Sequence, residues 1–437
     1  MPNGTTTTAD RESVIAIGEF ASRGKIWLAL LAVVILAGLV AWYQQLQMGL
    51  AATGMRNVFS WGLYIMLFVL FVGLSAGGLI ISSAPKFFHS DEYESLARFG
   101  VLLSLACITV AGLLILPDIG RPERIYQFFT SPDFRSPMVW DFAIVVLYGV
   151  FNVWYLWLLT RRDLAARGSR FAFGREDTPD GRKRDRKLAF WSAAVALPLA
   201  VMLHSVTGWI FATQIGRGDW FSPLVAPTFI AKALVSGLGL LLVVAIIADR
   251  TTKFDLDAEL RTRLGKYLGV FLAVHVVYLL AAERLPHAWA EHFGFWAITS
   301  GFLAGESTAF YLWTVVGGAI PIALLAIPAF RRQTWAVFTA GALAVFGVLF
   351  EGVRLVFVGY DSVNIANAPG ISVGEYGGLG SNIWAQTGVY TPTMIEVTIA
   401  AGLVAVGALI VTLGLRFLPI QESSHGKTAT ADGGTTE

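Results

Sequence analysis

The stretch IWLALLAVVILAGLVAWYQQL, Ile26 to Leu46, holds no charged residue and carries Trp42 and Tyr43 near its end. At about 1.5 Å rise per residue a helix of that length covers the roughly 30 Å hydrocarbon core of a bilayer. The run is long for a signal peptide and shows no clear small-residue cleavage site, so it reads as a retained first helix. Nine further runs of similar character follow, at 58–83, 96–117, 138–160, 188–213, 225–248, 265–284, 307–330, 334–358 and 393–419. Trp154 with Trp157, Trp191 and Trp335 stand near span ends, where amphipathic rings suit the membrane interface. Gly73 and Gly77 have the spacing that lets membrane helices approach closely. Gly317, Gly318 and Pro321 inside a span are tolerable in a bundle. The fold expected is an all-α integral membrane protein of about ten transmembrane helices.

Composition supports this. Of 437 residues, 55% are hydrophobic and 14% charged, against about 25% charged in soluble proteins. The net charge of +2 points to no charged partner, and no nucleic-acid motif is present. Cys107 is the single cysteine, within an apolar run. It rules out a disulfide within the chain, thiolate zinc sites and a self-contained iron–sulfur cluster, which need several thiolates.

Lys and Arg are distributed unevenly. The N-terminus, the even-numbered loops and the C-terminal tail hold about 24, ten of them between Arg161 and Lys187, while the alternate loops hold about six. The positive-inside rule then places both termini in the cytoplasm. The expected layout is a cytoplasmic tail over 1–25, a transmembrane domain over 26–420 with its core at about 58–358, and a disordered cytoplasmic tail over 421–437. Two long outer loops are expected at 285–306 and 359–392.

Charge inside a membrane is costly and marks candidate function. Asp141 opens the fourth span from the outside, and His204 lies in the outer part of the fifth. Lys232, Glu351, Arg354 and Glu396 lie in the outer parts of spans six, nine and ten, and Asp118 and Arg121 sit where span three exits. Span counting gives these groups one depth, near the outer face, and leaves the inner half with almost none. Either each is a snorkelling or helix-end charge, or together they line a polar pocket open to the outer side. In such a pocket Asp141, His204 and Glu351 could exchange protons, held in their charge states by Arg121 and Arg354.

Several motifs coincide with those positions. Trp61-Gly62-Leu63-Tyr64, running on to Gly73-Leu74-Ser75-Ala76-Gly77-Gly78, resembles the second-span signature of the NrfD/PsrC family of polysulfide-reductase-type membrane subunits. Pro117-Asp118-Ile119-Gly120-Arg121-Pro122-Glu123-Arg124, followed by Ser136-Pro137-Met138-Val139-Trp140-Asp141-Phe142, resembles that family closely. His204-Ser205-Val206-Thr207-Gly208-Trp209-Ile210-Phe211-Ala212 resembles its fifth-span motif. Glu351 with Arg354, and Thr391-Pro392-Thr393 with Glu396, resemble its last two spans. The similarity runs over roughly 58 to 420 and matches the longer, ten-span branch. Ser75 and Ile210 stand where some members carry a histidine and an acidic residue, and Asp118 where some carry a histidine.

The resemblance implies two four-helix bundles plus extra helices, in the cytoplasmic (inner) membrane of a prokaryote. It implies a subunit of a quinone-linked oxidoreductase complex with no redox centre, haem or metal of its own. The substrate implied is a quinone or quinol, menaquinone or ubiquinone, bound near the outer face. The partners implied are a ferredoxin-like iron–sulfur subunit on that face and, beyond it, a molybdopterin catalytic subunit. Carried over by motif, Asp118, Asp141 and His204 are the candidate catalytic residues, and Arg121, Arg354, Glu351 and Trp140 the candidate quinone-binding ones. Three alternatives stay open from the residues: a haem-b-type subunit using His204 and His275, a secondary transporter, and a non-catalytic membrane anchor.

Overall fold

The computed structural model describes residues 22–56, 59–88, 94–173, 178–214, 220, 222–252, 254–289, 308–309, 312–357 and 390–420. Long helices follow one another in the order α1 Ser22–Met48, α2 Leu63–Phe88, α3 Glu94–Asp118, α4 Pro137–Ala166 and α5 Pro179–Ala212. They continue with α6 Val225–Thr251, α7 Ala258–Trp289, α8 over 312–326, α9 Thr334–Val356 and α10 Met394–Phe417. Nine of these, among the described residues, are long and apolar enough to cross a membrane; α8 is the shorter one. It begins as a π-helical stretch, Leu312–Ala319, and becomes α-helical at Ile320, with Pro321 in the first turn of that segment. Proline suits a first turn because its missing N–H has no intrahelical partner there. Pro328 then opens a separate turn, Pro328–Arg331, so the expected eighth span is built in pieces.

Helix starts follow local chemistry. Pro137 and Pro179 open α4 and α5, and the Thr178 side chain accepts from the Gly181 N–H. Thr393 and Glu396 form a capping box on α10, each satisfying a backbone donor of the other's end.

α2, α3, α4 and α5 pack in a ring, each against the next and α5 back against α2. α6, α7, α8 and α9 form a second ring in the same way. The two bundles meet along α2 and α6, with α5 on α6 and α9 on α2, while α1 and α10 pair with each other and α10 lies against α3. This is the expected pair of four-helix bundles with extra helices. The joint between the bundles is a glycine contact. A Cβ added to Gly77 would lie 2.3 Å from the Cα of Gly237, so only glycine on both helices permits this approach.

The connection from Arg161 to Lys187, expected as a basic loop, is mostly helix: α4 continues to Ala166 and α5 starts at Pro179. Several of its charges are paired. Arg98 donates to Asp163 at 2.5 Å and to the Pro419 carbonyl at 2.8 Å, and both Arg161 and Arg162 bind Asp185. Apolar-run counting stops at the first charge, whereas the helix continues wherever the charge finds a partner. The helix ends at this connection therefore hold buried ion pairs that the depth argument did not anticipate. The expected tails fall almost wholly outside the described residues, apart from Ser22–Lys25, which open α1. The two long loops expected at 285–306 and 359–392 also lie outside them, apart from 285–289 at the end of α7 and 390–392 before α10.

Candidate functional site

Three polar groups lie towards the end of the bundle opposite those ion pairs. The first surrounds the exit of α3. Pro117 near the end of that helix leaves its carbonyl to the Gln45 side chain, which donates to it at 2.7 Å, while Tyr64 donates to the Gln45 amide oxygen at 2.6 Å. Asp118 follows, and its Oδ1 is buried with no hydrogen-bond partner among the described residues. Gly120, with φ of +70°, then turns the chain out of the helix; that left-handed conformation suits glycine. Glu396, fully buried, lies within electrostatic range of Asp118. Its carboxylate accepts from the Gly54 and Thr393 N–H groups at 2.7 and 2.8 Å and from the Tyr390 hydroxyl. Burial first, and then the bond to Glu396, push the Tyr390 phenol above its ordinary range, so it remains a donor.

The second group joins α4 to α5. Asp141, in the first turns of α4, is buried, and its Oδ1 accepts from the Thr207 hydroxyl at 2.6 Å. His204 lies one turn earlier than Thr207 on α5. Its Nδ1 sits 2.9 Å from the Ala200 carbonyl oxygen, which as acceptor fixes the proton on Nδ1. Its Nε2 is buried and unpartnered among the described residues, which leaves an acceptor lone pair unused.

The third group lies in the second bundle. Glu351 on α9 stands 3.8 Å from Lys232 Nζ on α6 and 3.1 Å from His275 Nε2 on α7. Lys232 also lies 3.6 Å from the centre of the Phe229 ring, a favourable cation–π arrangement. Arg354, one turn along α9, contributes to the field at Glu351.

The expected single pocket is thus resolved into separate clusters. Asp118 groups with α1, α2 and α10, Asp141 with Thr207, and Glu351 with Lys232 and His275. Trp140 is exposed and donates to the Phe134 carbonyl at 2.8 Å, and Arg121 is exposed at the turn after α3. Gln45, Tyr64, Thr207 and Tyr390 are partners that sequence reading did not single out. Tyr64 and Thr207 lie within the quoted motifs; Gln45 and Tyr390 carry no comparable signal. No group of three or more metal-ligating side chains occurs among the described residues.

Residues 51–364 match the family described as polysulphide reductase, NrfD. The chain belongs to the NrfD family. It is a multi-pass integral membrane protein, as the helices and this membership together show. Among the relatives of this NrfD chain is a putative dimethyl sulfoxide reductase membrane subunit of Halobacterium salinarum, 67% identical over 98% of each chain. A selenate reductase subunit of Mesobacillus selenatarsenatis is 24% identical, over 92% of this chain and 97% of that one. An Hdr-like menaquinol oxidoreductase integral membrane subunit of Archaeoglobus fulgidus is 28% identical, over 90% and 92%.

Proposed function

We propose that this NrfD-family chain is the quinone-reactive membrane subunit of a multi-subunit oxidoreductase. It binds a quinone or quinol, menaquinone being favoured by the names of its relatives, near the outer membrane face. It exchanges electrons with a ferredoxin-like iron–sulfur subunit docked there, and through it with a molybdopterin catalytic subunit. The observation that carries the reading is Asp118: half-buried at the helix end where an acceptor for a quinol proton is needed, with its Oδ1 buried and unpartnered among the described residues.

Quinol oxidation releases both hydroxyl protons as both electrons leave. Positioned carboxylates or imidazoles must take the protons. Asp118 has the free oxygen for one, and Asp141, held by Thr207, is the acceptor for the other. His204, whose Nε2 is an unused acceptor, is a hydrogen-bond partner for a ring hydroxyl. Arg354 and Arg121 supply positive charge at that end, and Trp140 completes the set; Glu351, grouped with Lys232 and His275, stands apart from it. This chain's part is binding, orientation and proton handling, and the electrons pass to the partner's cluster.

The test is quinol-dependent reduction of the partner cluster in the assembled complex. Asp118→Asn and Asp141→Asn should each slow it strongly with assembly intact. Near wild-type rates in both would overturn the placement. If quinone titration shows no binding to the wild-type complex, the chain is an anchor only.

A further inference from the structure

The Lys232–Glu351–His275 cluster is not needed for the proton handling just described. All three side chains are buried, at 2%, 6% and 3% exposure, and they come from three different helices. Ionisable groups at such depth in a membrane protein are expensive and functional by default. A purely structural ion pair would be expected to satisfy every polar atom around it. This one does not, because His275 Nδ1 is buried without a partner among the described residues.

Beside the cluster the bundle leaves space. A small cavity there is lined mainly by glycines and apolar side chains, among them Val235, Leu272, Gly317 and Gly347, with His275 and Glu351 at its polar edge. Its wall includes the π-helical stretch of α8, a distortion found often at functional sites. On the other side, Phe229 covers the Lys232 ammonium, Phe211 packs on Phe229 at 5.8 Å, and Trp61 and Trp220 pack on Phe211 at 5.3 and 5.4 Å. Lys232 is also within electrostatic range of His204 in the first bundle, so the cluster feels charge changes there.

We infer that Lys232, Glu351 and His275 form a second, buried proton-exchange site in the α6–α9 bundle, with Glu351 as the group that gains and loses the proton. The inference rests on the functional reading above: a proton that quinol oxidation leaves on Asp118 or Asp141 is passed on, that carboxyl returns to the carboxylate, and the partner cluster takes the electrons. The step balances simply. The Glu351 carboxylate takes up one proton to become the neutral acid, Lys232 remains cationic, and the cluster gains one positive charge. The charged and titratable groups facing Glu351 are Lys232 from α6, His275 from α7 and Arg354 from α9 itself.

Redox-induced infrared difference spectra of the assembled complex, taken on adding a menaquinol analogue, test this. The wild type should show a protonated-carboxyl stretching band that E351Q loses while still oxidising quinol. His275→Gln keeps a hydrogen-bond donor against Glu351 and should shift the same band without abolishing turnover; it serves if E351Q fails to assemble. A spectrum unchanged in both variants overturns the inference. So does loss of quinone binding in E351Q, which would place Glu351 in the quinone site. If the wild type oxidises no quinol, the functional reading fails and the inference with it; oxidation without a Glu351 band sinks the inference alone.

Discussion

Thr207 on α5 donates a 2.6 Å hydrogen bond to Oδ1 of Asp141 on α4. The two residues are 66 positions apart, both are buried, and the bond crosses the interface between neighbouring helices. It fixes the direction in which the carboxylate presents its second oxygen. Asp141→Asn should cut quinol turnover by roughly 10²-fold or more, the scale for losing a positioned acid or base. Thr207→Val leaves the carboxyl in place but unaligned and should cost about tenfold, in line with a lost hydrogen bond to a charged group. Steady-state quinol oxidation by the assembled complex measures both, and equal effects from the two would mean that Thr207 acts by more than alignment.

Orientation can be read chemically. The native Cys107 is buried, so it contributes little background to thiol labelling. A cysteine in place of exposed Arg170, in the connection between α4 and α5, should be shielded from an impermeant maleimide in intact cells and react once they are opened. Labelling from outside would invert the topology.

The ion pairs at the basic helix ends should matter for stability more than surface pairs do. Arg161 is 4% exposed and meets Asp185 through two nitrogens. Asp185→Ala strands that guanidinium and should cost about 3–5 kcal/mol, whereas replacing both partners by apolar residues should recover much of it. Thermal unfolding in detergent distinguishes the two; a small loss in the single variant would show that water reaches Arg161.

At the joint between the bundles, Gly77→Val should destabilise by about 1–3 kcal/mol or more, since the colliding atom is the backbone Cα of Gly237 and cannot swing aside. Gly112→Ala on α3 is the control: its added Cβ meets nothing within 4 Å, and alanine favours helix by about 1 kcal/mol. Melting curves of the two variants should move in opposite directions.

The contrast between what hydropathy reveals and what it hides is clear in particular residues. The spans were legible because lipid demands long apolar runs, and Gly73 to Gly77 announced a close helix contact. The eighth span was less so, because Pro321 and Pro328 break it into segments that a sliding count merges. The residue types of the candidate clusters were legible, since Asp141, His204 and Glu351 are costly where they stand. Their grouping was not. Which helix face meets which neighbour depends on rotation about each axis, and depth counting says nothing about rotation. Hence Gln45 against Pro117, and Lys232 against Glu351, pair across helices that are distant in sequence, and one expected pocket became three clusters.

The pairing of α1 with α10 has a consequence for biogenesis. α1 is made before every other described helix, yet its main packing surface lies on α10, the last of them. Until residues 394–417 have been inserted, α1 lacks that surface and keeps its hydrogen bonds through Gln45, and the loop at Gly54 lacks the Glu396 carboxylate that fastens it. A chain interrupted before α10 would therefore present an unpaired helix to membrane proteases. The packing of the first described helix is thus completed only when the last one arrives.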